Sequence, residues 1–129
     1  MMPVIVPVYA AVLALLFVAL SLRVIAGRVK FRVGIGAGGH APLERRMRVH
    51  ANFAEYTPLA LILFFFVEMQ HRPSWLVHSL CVAFLAGRLL HAIGVSRDKE
   101  PLLLRQAGMA LTFTTLIASA LILLYAGLA

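Results

Sequence analysis

The chain has 129 residues, of which 62% are hydrophobic, and a formal net charge of +7. Globular proteins average about 45–50% apolar residues, so this composition argues against a water-soluble domain. The length allows one domain with about four membrane crossings joined by short loops. Basic residues border apolar runs and lack the interleaved aromatic residues of a nucleic-acid surface, so no nucleic-acid partner is expected.

The first predicted element is a membrane helix over residues 3–26. The stretch from Pro3 to Leu22 carries no charge, and about 20 apolar residues are enough to cross a bilayer. A cleavable signal peptide would begin with basic residues and have a shorter apolar core, so we expect this helix to be retained. Arg23 is expected to mark the membrane edge.

A basic, glycine-rich loop is predicted over residues 27–41. It contains a literal G-x-G-x-x-G spacing at Gly34, Gly36 and Gly39. In dinucleotide-binding proteins this spacing lies between a strand and a helix. Because membrane helices flank the loop here, we interpret the match as coincidental. Its arginines either meet anionic headgroups or hold an anionic ligand, and both roles remain open.

Three further membrane helices are predicted, over residues 43–70, 74–94 and 102–128. Pro42 suits the first turn of the second helix. Pro58 should bend that helix by removing a backbone hydrogen bond, and we expect the bend to open space beside its polar face. The lone cysteine, Cys81, gives no intramolecular disulfide and no metal cluster. The sequence thus predicts an all-α integral membrane protein, a single domain over residues 1–129 with four transmembrane helices in an up-and-down bundle.

The distribution of charge predicts the orientation of these helices. Seven of the twelve lysine and arginine residues lie between Arg23 and Arg48, and others follow the third helix. Loops rich in lysine and arginine stay on the cytoplasmic side of a membrane. We therefore expect the first and third loops in the cytoplasm and both termini on the other side.

Polar residues cluster where the second helix begins. Arg48, Asn52, Glu55 and Tyr56 have the spacing i, i+4, i+7 and i+8, which places them on one face of a helix. The apolar run that follows Pro58 is about half of what a bilayer crossing needs, so the crossing must include part of this cluster. Polar groups inside the apolar layer are costly and are candidates for function. The alternative is a helix that begins in the headgroups, with Arg48 and Glu55 simply paired.

Arg88 and His91 share one face of the third helix near its end. Glu55 lies seven residues beyond Arg48, and Arg88 lies seven residues before Val95, so the two charges should reach a similar depth. Because an unpaired charge in a bilayer is expensive, we predict that Arg88 approaches Glu55, within a subunit or across a subunit boundary. Such a pair could serve a ligand site or could only fasten two helices together.

These groups have the chemistry of a site for a small zwitterionic peptide. Arg48 could hold a carboxylate, and Glu55 could accept from an ammonium group. Asn52 and Tyr56 could orient amide groups, and His91 could donate or accept a hydrogen bond.

His50 needs a separate interpretation. It lies about 140° around the helix from Glu55, at roughly 100° per residue, toward the opposite face. It could join the same site only if that site is built between subunits. The alternative is a histidine at a subunit contact or in the headgroups.

The residues Arg48-x-His50-x-Asn52-x-x-Glu55-Tyr56-x-Pro58 resemble the second-helix signature of the MAPEG superfamily, the membrane-associated proteins in eicosanoid and glutathione metabolism. The resemblance covers nearly the whole chain and includes the segment Arg88-Leu89-Leu90-His91 and an arginine that opens the fourth helix, Arg105. It is strongest to the short bacterial members, which implies a multi-pass protein of the bacterial inner membrane.

The resemblance also implies a homotrimer, with the second helix at its centre and glutathione bound between neighbouring subunits near the cytoplasmic side. Arg105 resembles the arginine that stabilises the glutathione thiolate in some members, which would make it catalytic. Several active members contact glutathione with a tyrosine one turn after the His91 position, where this chain has Val95. The glutathione contacts carried over by motif are Arg48, His50, Asn52, Glu55, Tyr56, Arg88 and His91.

Two functions compete on this basis. The first is a glutathione transferase or peroxidase that acts on lipophilic electrophiles, with Arg105 or Arg48 lowering the pKa of the glutathione thiol. The second, which Val95 favours, is a non-enzymatic membrane scaffold or lipid-binding protein. A small transporter is disfavoured, because the four helices show no inverted repeat. The expected partners are glutathione as co-substrate, a lipophilic small molecule or lipid, membrane lipids and further copies of the chain.

Overall fold

The computed structural model describes residues 2–99 and 101–129. It contains the helices α1 (Ile5–Phe31), α2 (Ala41–Met69), α3 (Ser74–Val95) and α4 (Leu102–Leu128), and no strand among these residues. All four helices are long and apolar enough to cross a membrane. Even α3, the shortest with 22 residues, is about 33 Å long at 1.5 Å per residue, against roughly 30 Å of hydrocarbon. The predicted all-α fold with four membrane-length helices is confirmed.

Hydrogen bonds between the helix ends show that α1, α2 and α3 alternate in direction. Glu68, near the end of α2, accepts from the backbone N–H groups of residues 4–6 at the start of α1. Arg45, near the start of α2, donates to the carbonyl oxygens of Val95 and Asp98, where α3 ends. One end of the bundle, here called the basic end, therefore carries the loops that join α1 to α2 and α3 to α4. The other end carries the termini and the α2–α3 turn.

The first helix is longer than the sequence suggested. It continues past Arg23 to Phe31 and ends where Arg32 adopts a left-handed conformation with φ of 55°. A charged residue marks a membrane edge but does not stop a helix, because arginine and lysine have high helix propensity. Arg28 and Lys30 in the last turn also complement the helix dipole. The loop to α2 is correspondingly shorter than expected.

The glycines of this loop serve its backbone. Gly36, Gly38 and Gly39 adopt φ values of 71°, 58° and 77°, which glycine reaches at little cost. The loop joins one helix to another, so the G-x-G-x-x-G spacing lacks the strand that a dinucleotide site requires.

Helices α3 and α4 approach each other through glycines. A Cβ atom placed on Gly108 would lie 2.6 Å from the carbonyl oxygen of Gly87 and 2.6 Å from the backbone nitrogen of His91. A Cβ on Gly94 would lie 3.0 Å from the backbone nitrogen of Arg105. Small residues allow such close contact between membrane helices. The contact fixes the height of α3 relative to α4, and with it the positions of the polar residues on both helices.

Gly108→Ala is therefore expected to lower stability by about 1–3 kcal/mol, because the added methyl group would push two backbones apart. Gly127→Ala is the matched control, since nothing lies within 4 Å of a Cβ on Gly127 in the same helix. Thermal unfolding of the detergent-solubilised variants measures the difference. Equal melting temperatures for the two variants would contradict the close α3–α4 contact.

At the end opposite the basic end, Glu68 caps α1. Its carboxylate oxygens lie 2.7, 2.7 and 2.8 Å from the backbone nitrogens of Val4, Ile5 and Val6. The first N–H groups of a helix have no partner within the helix, and the helix dipole is positive there. Glu68 therefore joins the end of α2 to the start of α1 by charge and by hydrogen bonds. This contact is not apparent from the sequence, because Glu68 and residues 4–6 are far apart in the chain.

Replacing Glu68 by glutamine should lower the free energy of unfolding by about 1–2 kcal/mol, because the charge and part of the cap are lost. Asp98→Asn removes one negative charge from an exposed loop residue without removing a cap and serves as the control. The two variants are compared by thermal unfolding in the same detergent. A Glu68→Gln variant as stable as the control would show that the cap contributes nothing.

Candidate functional site

A cavity of about 250 Å³ lies at the basic end, between the first turns of α2, the end of α3 and the start of α4. We call it the basic-end cavity. Four predicted site residues line it: Arg48, Asn52, His91 and Arg105. The other lining residues are Ala41, Glu44, Arg45 and Val95.

The charge of this cavity is positive. Among the lining residues that the structure describes, Arg45, Arg48 and Arg105 contribute three guanidinium groups and Glu44 contributes one carboxylate, so their formal net charge is +2 with His91 neutral. Guanidinium groups bind carboxylates and other anions through directed, charge-assisted hydrogen bonds. The cavity therefore has the chemistry of an anion site.

Arg45 and Glu44 were not identified as site residues from the sequence, although the signal was present. Glu44 and Arg45 each lie three or four residues from both Ala41 and Arg48, and Asn52 lies four residues beyond Arg48, which places all five along one side of a helix. From the sequence, Arg45 enters only the count of basic residues that favour the cytoplasmic side.

Beneath the cavity, Arg88 is buried, with 2% of its surface exposed. Its Nη1 donates to Oδ1 of Asn52 at 2.6 Å and to the Asn52 carbonyl oxygen at 3.3 Å. Its Nη2 donates to the sulfur of Met109 at 3.5 Å. The guanidinium carbon lies 5.7 Å from the ring centre of Tyr56 and 5.9 Å from that of Phe84. Arg88 thus supports Asn52 from below and does not line the cavity.

Within one chain, the predicted approach of Arg88 to Glu55 is wrong. Arg88 lies in the interior of the bundle and donates to Asn52 and Met109, whereas Glu55 is exposed on the outer side of α2. The amide of Asn52 and two aromatic rings surround the guanidinium without requiring a carboxylate to be buried. A contact between Arg88 and Glu55 of neighbouring subunits stays a prediction.

Tyr56 and His50 also lie away from the cavity lining. The Tyr56 ring packs edge-on against Phe113 of α4, with 5.6 Å between ring centres. His50 faces α1, where its Nε2 lies 2.9 Å from Oγ of Ser21 and its ring stacks on Phe17 at 4.9 Å. This position agrees with the prediction that His50 lies on the side of α2 that faces away from Glu55.

The arginines of the first loop region make contacts of their own. Arg23 donates to Oγ of Ser96 at 3.2 Å, and Arg28 donates to the carbonyl oxygen of Gly36 at 2.9 Å. Neither they nor Arg32 line the basic-end cavity. Within one chain, these side chains tie the loops to the helices.

A second cavity, of about 320 Å³, follows the seam between α1 and α2, and we call it the α1–α2 groove. Pro58 lies in its wall, about 120° around the helix from Asn52 at roughly 100° per residue. The expected space beside Pro58 therefore exists on the apolar side of α2 and not beside its polar face. The groove is lined by Ala10, Leu13, Ala14, Phe17, Phe53, Ala54, Thr57, Pro58 and Leu61.

The four membrane-length helices and the polar face of α2 agree with the comparison to known proteins. The model of the MAPEG family matches residues 6–125. The chain therefore belongs to the MAPEG family and is a membrane protein, and the resemblance seen in the sequence is confirmed. Two relatives, both described as inner membrane protein YecN, come from Escherichia coli strain K12 and Escherichia coli O6:H1 strain CFT073. Each is 37% identical over 109 residues, which is 84% of this chain and 82% of the relative.

Proposed function

We propose that the protein binds glutathione in the basic-end cavity and uses it as co-substrate in a transferase or peroxidase reaction with lipophilic electrophiles. The observation that carries the proposal is the convergence of Arg45, Arg48, Arg105, Asn52 and His91 around one cavity. Glutathione is a small peptide with two carboxylates, so a cavity rich in guanidinium and amide donors suits it.

A homotrimer would complete this site. The cavity of one chain, about 250 Å³, is slightly below the roughly 300–1,000 Å³ of typical ligand pockets. Glu55 is exposed on α2, and a carboxylate that faces lipid is costly. Contact between subunits at α2 would cover Glu55 and could bring His50 and Tyr56 to the ligand, as the family resemblance implies.

Arg105 is the proposed activating residue. Its positive charge at the cavity would favour the thiolate form of glutathione, which is the nucleophilic form. Arg48 and Asn52 would hold the carboxylate and amide groups of the peptide. Bound glutathione supplies the thiol, which forms a bond to an electrophilic carbon as the leaving group departs, or reduces a hydroperoxide together with a second glutathione.

The lipophilic substrate would enter from the membrane. The α1–α2 groove is apolar and lies along the part of the bundle that crosses the bilayer, so it suits an acyl chain or another lipid-soluble molecule. The description of the relatives as inner membrane proteins supports a location in a bacterial inner membrane. The positive-inside rule would place the basic end in the cytoplasm and both termini on the other side.

A second candidate is a non-enzymatic scaffold or lipid-binding protein. Val95 is a specific observation in its favour, because it lines the basic-end cavity with an apolar surface where several active members of the family have a tyrosine. The α1–α2 groove would then be the main binding site. Glutathione-dependent turnover by the purified protein distinguishes the two candidates.

The first test is calorimetric titration of the detergent-solubilised protein with glutathione. Arg48→Gln should weaken binding about tenfold or more, since a charge-assisted contact to a carboxylate contributes roughly 1.5–3 kcal/mol. Arg72→Gln is the control, because Arg72 donates to Gln70 at the opposite end of the bundle. Equal affinities for the two variants would remove Arg48 from the site, and no binding to the wild-type protein at millimolar glutathione would overturn the proposal.

The second test concerns turnover. Arg105→Ala should reduce conjugation of a lipophilic electrophile at least 100-fold while glutathione affinity changes little, because the charge acts on the thiolate during the reaction. Arg97→Ala, at an exposed arginine of the α3–α4 loop, is the control. Rates are measured at saturating glutathione across a pH series. The activity of Arg105→Ala should recover as the pH rises, since more of the glutathione thiol then ionises even without the positive charge of Arg105.

A further inference from the structure

We propose that Arg88 is a positioning residue, which turns the Asn52 amide so that its NH₂ group alone faces the basic-end cavity. The site would then accept a carbonyl or carboxylate oxygen at Asn52 and reject an N–H group there. The identity of the ligand rests on the proposed function, whereas the orientation of the amide rests on the contacts of Arg88.

The chemistry of the two side chains fixes the orientation. A guanidinium group has only donors, and an asparagine amide has one oxygen acceptor and one NH₂ donor. The 2.6 Å contact from Nη1 of Arg88 therefore requires the amide oxygen, since two donors cannot face each other at that distance. The NH₂ group is left on the other side of the amide, and Asn52 lines the cavity whereas Arg88 does not.

The surroundings of Arg88 hold the guanidinium in place. Tyr56 and Phe84 flank it, Met109 accepts from Nη2, and the side chain is almost fully buried. Among the described residues its Nε has no hydrogen-bond partner, which is unfavourable for a buried donor. If the Arg88–Asn52 pair served only to hold α2 against α3, apolar side chains could replace it without the free-energy cost of burying a charge. This cost argues for a role of the charge beyond packing.

The consequence is a cavity in which donors dominate. Arg45, Arg48 and Arg105 present guanidinium groups, and the proposed orientation makes Asn52 a fourth donor. A ligand whose peptide carbonyl or carboxylate lies at Asn52 is accepted, and an ammonium or N–H group at the same place meets another donor. Unpaired polar groups of this kind give sites much of their selectivity.

One property of the sequence makes the orientation measurable. Asn52 is the only asparagine in the chain, so protein labelled with ¹⁵N at the asparagine amide gives one pair of NH₂ signals. We expect Arg88→Met to move this pair in the ligand-free protein, because the bond to the amide oxygen is lost. Arg88→Lys, which keeps a donor, should restore part of the wild-type position, and Arg72→Met should change nothing.

Binding is measured on the same variants. Added glutathione should shift the wild-type NH₂ pair, and Asn52→Asp should weaken glutathione binding at least tenfold, because it places an acceptor in the cavity while keeping a partner for Arg88. Arg88→Met should also weaken binding, but should have little further effect once Asn52 is replaced by alanine. A purely structural role would lower affinity equally in both backgrounds.

The outcomes separate the two proposals. If the wild-type protein does not bind glutathione, the proposed function is overturned. The spectra of the ligand-free protein would still decide the orientation of the Asn52 amide. Unchanged NH₂ signals in both Arg88→Met and Arg88→Lys would overturn the positioning role. Glutathione binding that leaves the NH₂ pair unmoved would overturn the assignment of Asn52 as a donor to the ligand. If Arg88→Met does not fold, the NH₂ signals of Arg88→Lys are compared with those of Arg72→Lys instead.

Discussion

The structure depends on how a guanidinium group is accommodated inside an apolar helix bundle. An isolated charge there is expensive, so Arg88 of α3 must have partners from its neighbours. It donates to Oδ1 of Asn52 on α2 and to the sulfur of Met109 on α4, and the ring of Tyr56 on α2 lies beside it. Three helices therefore meet at one side chain. The same contact determines what the floor of the basic-end cavity presents to a ligand.

Two other contacts keep that arrangement in register. The glycines of α3 and α4 let the two backbones touch beside His91, which fixes the height of Arg88 relative to α4. At the far end, Glu68 binds the first N–H groups of α1 and joins it to α2. The three helices that line the cavity are therefore joined near it by the bonds of Arg45 to the end of α3 and by the glycine contact of α3 with α4, while Glu68 attaches α1 to α2 at the far end.

The sequence predicts the helices well because hydropathy and length determine membrane spans almost independently of tertiary contacts. The side of α2 that carries Arg48 and Asn52 also follows from periodicity alone. The partner of Arg88 does not follow from periodicity, because Glu55 and Asn52 lie at similar depths in the membrane and both could reach it. Only the rotation of α2 against α3 distinguishes them, and this depends on packing. The extension of α1 beyond the predicted end at residue 26 was missed for another reason, since the membrane edge and the helix end are separate boundaries.

The two sides of α2 differ in a way that bears on assembly. One side supplies Arg48 and Asn52 to the basic-end cavity, and the other forms the apolar α1–α2 groove. Glu55 belongs to neither cavity lining and is exposed in the single chain. An exposed carboxylate within a membrane helix must be neutralised, hydrated or covered by protein. Covering it with another copy of the chain would remove that cost. Because Glu55 lies one turn beyond Asn52 on α2, the covering subunit would also lie near the basic-end cavity.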